Sequence, residues 1–293
     1  MSNRDLYRFL ALTFGLGALV QAVAIRSGVH AGGHGWLALA MWTPAIAALS
    51  FGPTRRYVVP ALRRKGWRTL GYAFVAGTSV SALQMISLWL THTGHWNDAL
   101  FALTPDHSRI AGAHGVGLIL GVGEQGFGYF ALNLLLSIST GSVLSMFIGG
   151  IGEEIGWRGI LQPELARRFG PLRGTVVVGL VWAYWHVPVN LAGYNDAAHP
   201  VLATFVLFPA FVVSFSFVLA WLTQRSRSAW PAALAHGANN TLNAGLLVVA
   251  SSWTADQTTG LAAALLVGSF FGWRLSRDRK DARSMELSGA VPA

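Results

Sequence analysis

Long apolar stretches separated by short basic segments constrain this sequence more than any other feature. A membrane-spanning helix needs about 20 apolar residues, with some allowance for tilt and kinks. About eight stretches approach that length, at 6–25, 35–51, 70–90, 128–152, 175–190, 200–222, 229–250 and 260–273. Only 11% of the 293 residues are charged, whereas a soluble domain carries about a quarter. The sequence predicts an all-α, polytopic membrane helix bundle of about eight transmembrane helices.

The basic residues indicate which side of the membrane each loop occupies. If the N-terminus is cytoplasmic, every Lys and Arg except Arg26 and Arg109 falls in a cytoplasmic segment, as the positive-inside rule requires. Both termini are therefore predicted to be cytoplasmic. The net charge of +9 is clustered beside the apolar stretches, which indicates a lipid bilayer and no nucleic acid as partner. We expect a multi-pass protein of the plasma membrane, the inner membrane if the source is bacterial.

Three regions follow from this layout. Residues 1–127 are predicted to hold about three membrane helices, a basic cytoplasmic loop and a long outside loop, 91–127, that either caps the membrane domain or is mobile. Residues 128–250 form a membrane core, and residues 251–293 hold the last transmembrane helix and a basic cytoplasmic tail. The first helix also resembles a cleavable signal, with "AVA" at 22–24, but we expect it to be retained.

Few ionisable residues lie inside the apolar stretches. Because burying a charge in a bilayer costs at least about 2.5–3.5 kcal/mol, such residues are functional candidates by default. The candidates, together with the asparagines that follow the second histidine, are Glu153, Glu154, Arg158, His186, His236, Asn239, Asn240 and Asn243. Cysteine is absent, which removes a thiol nucleophile and thiolate metal ligands.

Helical spacing separates the two carboxylates. Glu154 and Arg158 are i,i+4 and should form an ion pair, while Glu153 is rotated by about 100° and lacks that partner. A carboxylate without a counter-ion suits a general base. Because Arg158 is taken to mark the cytoplasmic end of the span, the sequence predicts Glu153 in the cytoplasmic half of the membrane. His236 and Asn240 are likewise i,i+4 and share one helix face.

Three short motifs in this order resemble those of the CPBP family of CAAX-processing and bacteriocin-processing (Abi) intramembrane proteases. The family motifs EExxxR, FxxxH and HxxxN correspond to "EEIGWR" at 153–158, "WAYWH" at 182–186 and "HGANN" at 236–240. The resemblance covers roughly residues 128–250. Trp182 departs from the family's Phe, which puts the shape of the pocket in doubt more than its chemistry.

The resemblance implies an intramembrane endopeptidase that hydrolyses a peptide bond at the cytoplasmic side of the membrane. Glu153 with His186 would activate a water, His236 and Asn240 would hold the oxyanion, and Glu154 with Arg158 would support them. The substrate would be a peptide or protein at the membrane, lipidated or not. Zinc on Glu153, His186 and His236 is an open alternative, and a metal-free mechanism is slightly favoured.

Two other classes of function stay open. A transporter could use buried Glu and His as a proton relay, although no inverted repeat is visible. A non-catalytic scaffold or immunity protein is the third reading, but scaffolding gives no reason to bury Glu153 without a counter-ion. Loss of activity in Glu153→Gln would exclude the scaffold, and ion flux in proteoliposomes would identify the transporter.

Overall fold

The structure is a computed structural model that describes residues 1–63 and 67–288. Arg64 and Lys65 of the predicted basic loop, and the end of the predicted tail from residue 289, lie outside the described residues. The chain is mostly helical. Its helices are α1 (Asn3–Arg26), α2 (His34–Met41), α3 (Thr43–Leu49), α4 (Gly52–Arg63), α5 (Leu70–Leu90), α6 (Phe127–Ser145), α7 (Ile151–Gly156), α8 (Gln162–Phe169), α9 (Pro171–Trp185), α10 (Val187–Leu191), α11 (Pro200–Leu202), α12 (Phe208–Ser226), α13 (Trp230–Thr241) and α14 (Trp253–Ser288).

The predicted all-α polytopic membrane bundle is confirmed. Five helices among the described residues are long and apolar enough to cross a membrane: Asn3–Arg26, Leu70–Leu90, Phe127–Phe169, Pro200–Ser226 and Trp253–Asp278. The pair His34–Leu49 and Gly52–Leu62, bent by 115°, would make a sixth span. The count of about eight and the cytoplasmic termini stay predictions.

Three predicted spans have other boundaries in the structure. The fourth continues well past residue 152 as a helical rod, Phe127–Phe169, because Arg158 within it is buried and charge-paired and does not mark its end. The fifth is divided at His186, just before Pro188, whose ring cannot continue a regular helix. The seventh is helical only to Thr241, and residues 248–250 form a strand.

The two ends of the bundle are held together differently. At the end that carries the basic clusters, the basic end, Ala229 donates its backbone N–H to Ala61 O at 3.1 Å, and the Trp230 indole donates to Leu62 O at 3.0 Å. At the opposite end, strand β1 (Gly94–Trp96) pairs antiparallel with β5 (Val248–Ala250). Between the ends, α12 packs against α9 and α14, and α13 packs against α5 and α6.

The long loop 91–127 is folded at the opposite end, and whether it caps the membrane domain stays a prediction. Strands β2 (Phe101–Leu103), β3 (Arg109–Gly112) and β4 (Gln125–Gly126) form an antiparallel sheet in that order. Their own small core consists of Phe101, Ile110, Leu118 and the first-turn residue Phe130 of α6. A hydrophobic cluster of this kind stabilises the loop against the membrane domain.

Candidate active site

The paired glutamates lie in the most distorted part of the α6–α8 rod. Helix α7 is flanked by two π-helical segments, Met146–Gly150 and Trp157–Leu161, an irregularity that often accompanies functional sites. Gly152 allows α7 to approach its neighbour closely, since a Cβ there would lie 2.7 Å from Met41 O. This packing buries Glu153 and Glu154 almost completely.

Glu154 belongs to a charged cluster, which we define as Glu154, Arg158 and His236. The predicted i,i+4 ion pair is confirmed, with Arg158 Nε 3.2 Å from Glu154 Oε2. His236 Nδ1 lies 3.0 Å from the other oxygen, Oε1. Arg158 also donates from Nη2 to Ser216 Oγ at 3.4 Å. Both oxygens of Glu154 are therefore engaged by cationic or ionisable groups.

Glu153 belongs to a neutral cluster, which we define as Glu153, Trp157 and Trp182. The Trp157 indole donates to Glu153 Oε2 at 3.0 Å, and the Trp182 indole donates to the same oxygen. No ion pair involves Glu153 within the described part of the chain, as expected. Glu153 nevertheless has two neutral hydrogen-bond donors, which the sequence did not predict.

His186 lies at the C-terminus of α9 with its tautomer determined by the backbone. Its Nδ1 is 3.0 Å from Trp182 O. Because a carbonyl oxygen only accepts, Nδ1 carries the proton and Nε2 of the neutral ring keeps a lone pair. The ring packs edge-on against Trp185 and Phe208, with centroid distances of 4.7 and 5.0 Å. His186 can therefore accept a proton at Nε2.

A cavity of about 320 Å³ joins the predicted residues. Glu153, His186, His236 and Asn240 line it, together with Trp182 and Asn239. Glu154 and Arg158 lie behind the cavity wall, and Asn243 lines a neighbouring cavity. The structure therefore separates residues that can touch a substrate from those that can only support them.

Sequence reasoning missed several residues that line the cavity: Gln21, Tyr194 and Asn195. Gln21 could have been found, because it is the only glutamine in the apolar first span. A polar side chain in a membrane helix costs free energy unless it has a hydrogen-bond partner or a function. Tyr194 and Asn195 lie in a loop and carried no such signal. Sequence reasoning also missed Trp157 and Trp182 as donors to Glu153, because only their indole N–H groups distinguish them from phenylalanine.

Part of this chain matches a known family. Residues 134–242 match the family described as type II CAAX prenyl endopeptidase Rce1-like. This segment is an Rce1-like domain of the CPBP/CAAX protease family. It lies inside the predicted core 128–250 and contains every predicted site residue except Asn243. No curated protein matches the chain.

The match of residues 134–242 supports an intramembrane endopeptidase, and the long apolar helices support an integral membrane protein. The predicted resemblance is thereby confirmed, although the match ends before Asn243 and does not include α1. Gln21 and the N-terminal helix therefore contribute to the cavity from outside the matched segment.

The cavity of the Rce1-like domain opens toward the opposite end of the bundle. Its rim residues Tyr194, Asn195 and Asn240 are exposed. The first two follow α10, and Asn240 lies in the last turn of α13, at the end far from the basic clusters. The positive-inside assignment predicts that this end is outside. The side of the membrane from which a substrate reaches the cavity stays a prediction. The sequence prediction placed the span end at Arg158, whereas the rod continues to Phe169.

The predicted zinc ligands do not form a recognisable metal site. No group of three or more His, Cys, Asp or Glu side chains in the described residues is arranged to hold a metal ion. His236 directs Nδ1 to Glu154 and His186 directs Nδ1 to a carbonyl, so each ring has one nitrogen left. Whether the protein uses zinc stays a prediction.

Proposed function

We propose that this protein is an intramembrane endopeptidase in which Glu153 is the general base. The observation that carries the proposal is the neutral cluster: a buried carboxylate at a polar cavity, with no counter-ion and one oxygen held by two indoles. That arrangement leaves Oε1 to accept a proton from a water molecule. The resulting hydroxide attacks the scissile carbonyl carbon, whose oxygen becomes the oxyanion.

In this proposal the oxyanion is bound by the side-chain amide of Asn240 and by His236. His236 donates Nδ1–H to Glu154, so it donates from Nε2 only as an imidazolium, which Glu154 stabilises. Preorganised donors in a site with little water are effective at this task. His186 receives at Nε2 the proton that Glu153 took from the water. It passes this proton to the leaving nitrogen as the C–N bond breaks and the oxyanion re-forms the carbonyl of the product acid.

The proposed substrate is a peptide or protein segment that enters from the opposite end of the bundle. A lipidated peptide, a bacteriocin leader and an unmodified membrane helix are the candidate substrates. The cleavage rates of three quenched peptides, one for each candidate, would show which substrate the protein prefers.

Cleavage of a quenched membrane peptide by the full chain in proteoliposomes tests the proposal. We expect Glu153→Gln to reduce the rate by about 10²–10⁴-fold, the usual contribution of a general base. The control is Glu164→Gln on the same rod, remote from the cavity. Undiminished cleavage by Glu153→Gln would overturn the proposal.

Elemental analysis of the same preparation tests the metal-free mechanism. We expect less than stoichiometric zinc and cleavage that persists in chelator. Stoichiometric zinc with chelator-sensitive cleavage would instead establish the zinc alternative.

A further inference from the structure

A second concave site lies at the basic end, away from the candidate active site. It is a groove of about 520 Å³ between α5, α12 and α14, and it shares no residue with the Glu153 cavity. Its walls are apolar and many are exposed, including Val75, Leu266 and Phe270. From Tyr72 to Leu83 it follows about 16 Å of helix α5. In a membrane, these walls face acyl chains.

The groove ends in two arginines that are only loosely paired. Arg225 and Arg274 each lie 3.8 Å from a different oxygen of Asp278, which is too far for a hydrogen bond. Their guanidinium carbons lie 5.6 and 5.7 Å from the centroid of the Trp221 ring. The indole itself donates to Asp278 at 3.1 Å. Two cations therefore share one carboxylate, and their N–H groups remain available to an anion.

We propose that this groove binds one anionic phospholipid. The phosphate of the headgroup would accept hydrogen bonds from Arg225 and Arg274, which prefer phosphate oxygens. One acyl chain would lie along the apolar walls toward Leu83. The charge lies at the level where headgroups meet a cytoplasmic surface, as basic pockets between membrane helices do. This inference does not depend on the proposed protease activity.

Native mass spectrometry of the full chain, titrated with dioleoyl phosphatidylglycerol or dioleoyl phosphatidylcholine, tests the proposal. We expect phosphatidylglycerol to bind more tightly by about 25-fold, a factor of about five for each arginine. The double variant Arg225→Gln/Arg274→Gln should lose that preference. Arg277→Gln is the matched control, because Arg277 stacks on Trp273 and does not line the groove.

A groove-filling variant tests the acyl chain separately. Ser79 lies on the groove wall, and Ser79→Phe should weaken the binding of both lipids. Equal affinity for the two lipids in the wild-type protein would overturn the proposal, as would an Arg277→Gln effect as large as that of the double variant. Retained size-exclusion profiles show that each variant folds.

A different observation concerns Gln21 on α1. Its Nε2 donates to Trp185 O at 3.0 Å, which determines the orientation of the amide. Its Oε1 is buried without a hydrogen-bond partner, although Gln21 lines the Glu153 cavity. A buried acceptor without a partner costs about 1–3 kcal/mol, so this oxygen is expected to serve a ligand.

We infer that Gln21 Oε1 accepts a backbone N–H of the bound peptide and thereby positions the substrate. This inference rests on the proposed protease function. Gln21→Met keeps the length of the side chain and removes the acceptor. We expect KM to rise about fivefold with kcat unchanged, since a neutral hydrogen bond of this kind contributes modestly.

N-methylated peptides distinguish a substrate-positioning role of Gln21 from a role in helix packing. A substrate series with single N-methylated amides should contain one peptide that the wild-type protein cleaves poorly and that Gln21→Met cleaves as well as its parent. Thr13→Val, which alters a buried hydroxyl on the same helix, is the control. An unchanged KM in Gln21→Met would refute this inference alone, whereas no cleavage by the wild-type protein would refute the proposed function with it.

Discussion

Glu153 and Glu154 are consecutive in the chain, yet they lie in two regions with different chemistry. The neutral cluster binds one oxygen of Glu153 with two indole N–H groups and opens onto the cavity. The charged cluster engages both oxygens of Glu154 with Arg158 and His236, and of its three members only His236 lines the cavity. Neutral donors bind a carboxylate without neutralising it, so it can still accept a proton. Cations form ion pairs with the carboxylate, which then has a structural role. The adjacent position of two like residues therefore says little about their roles.

Breaking the charged cluster should have the largest effect. We expect Glu154→Gln to lower the free energy of unfolding by about 3–5 kcal/mol, because it leaves Arg158 buried without its counter-ion. Thermal unfolding of the purified protein in detergent measures this loss. Glu153→Gln is the matched comparison and should unfold close to the wild-type temperature. Equal destabilisation by the two variants would contradict the division into two clusters.

Weakening the neutral cluster should have an intermediate effect. Trp182→Phe keeps an aromatic ring and removes one donor to Glu153, so we expect kcat/KM to fall by about tenfold or more, consistent with a hydrogen bond to a charged group.

Trp185→Phe is the control for that variant. Its indole N–H points to Thr13 O at 3.3 Å and does not reach Glu153. It should lower kcat/KM much less than Trp182→Phe does. A loss of the same size in both variants would mean that ring packing, and not the hydrogen bond to Glu153, controls the rate.

Asp106, in the folded loop 91–127, tests on an exposed residue whether neutral donors alone stabilise a charged carboxylate. It is held by neutral donors alone, the hydroxyls of Ser108 and Thr104 and the Ser108 backbone N–H. These hydrogen bonds, first of all that from Ser108, lower the pKa of Asp106 from 3.8 to about 2. Because the folded-state pKa is depressed, the stabilisation is present above about pH 3.8 and is lost as the pH falls through about 2.

A carboxyl-carbon NMR titration of Asp106 between pH 1.5 and about 6 measures that pKa. Thr104→Val removes one donor and should move the midpoint part of the way back toward 3.8. A wild-type midpoint at or above 3.8 would show that neutral donors do not hold this carboxylate charged. This is the smallest of the expected effects because Asp106 is exposed.

The site was predictable where chemistry follows local spacing. The i,i+4 relation predicted the Glu154–Arg158 pair, and the three motifs predicted that Glu153, His186, His236 and Asn240 line one site. The choice of partner for His236 was not predictable, because it depends on how α13 packs against α7. The indole donors were not predictable either, because a tryptophan in an apolar helix looks the same whether its N–H is used or not.

The sequence by itself determined the membrane class, the basic end and the set of ionisable residues, because hydrophobicity and charge act through composition and local order. Only the tertiary structure decided which carboxylate meets cations, where the cavity opens and that Gln21 of α1 reaches it. Those outcomes depend on contacts between helices far apart in the chain. In a bilayer, many arrangements of apolar helices have nearly the same free energy. The arrangement is therefore selected by the few buried polar groups that need hydrogen-bond partners.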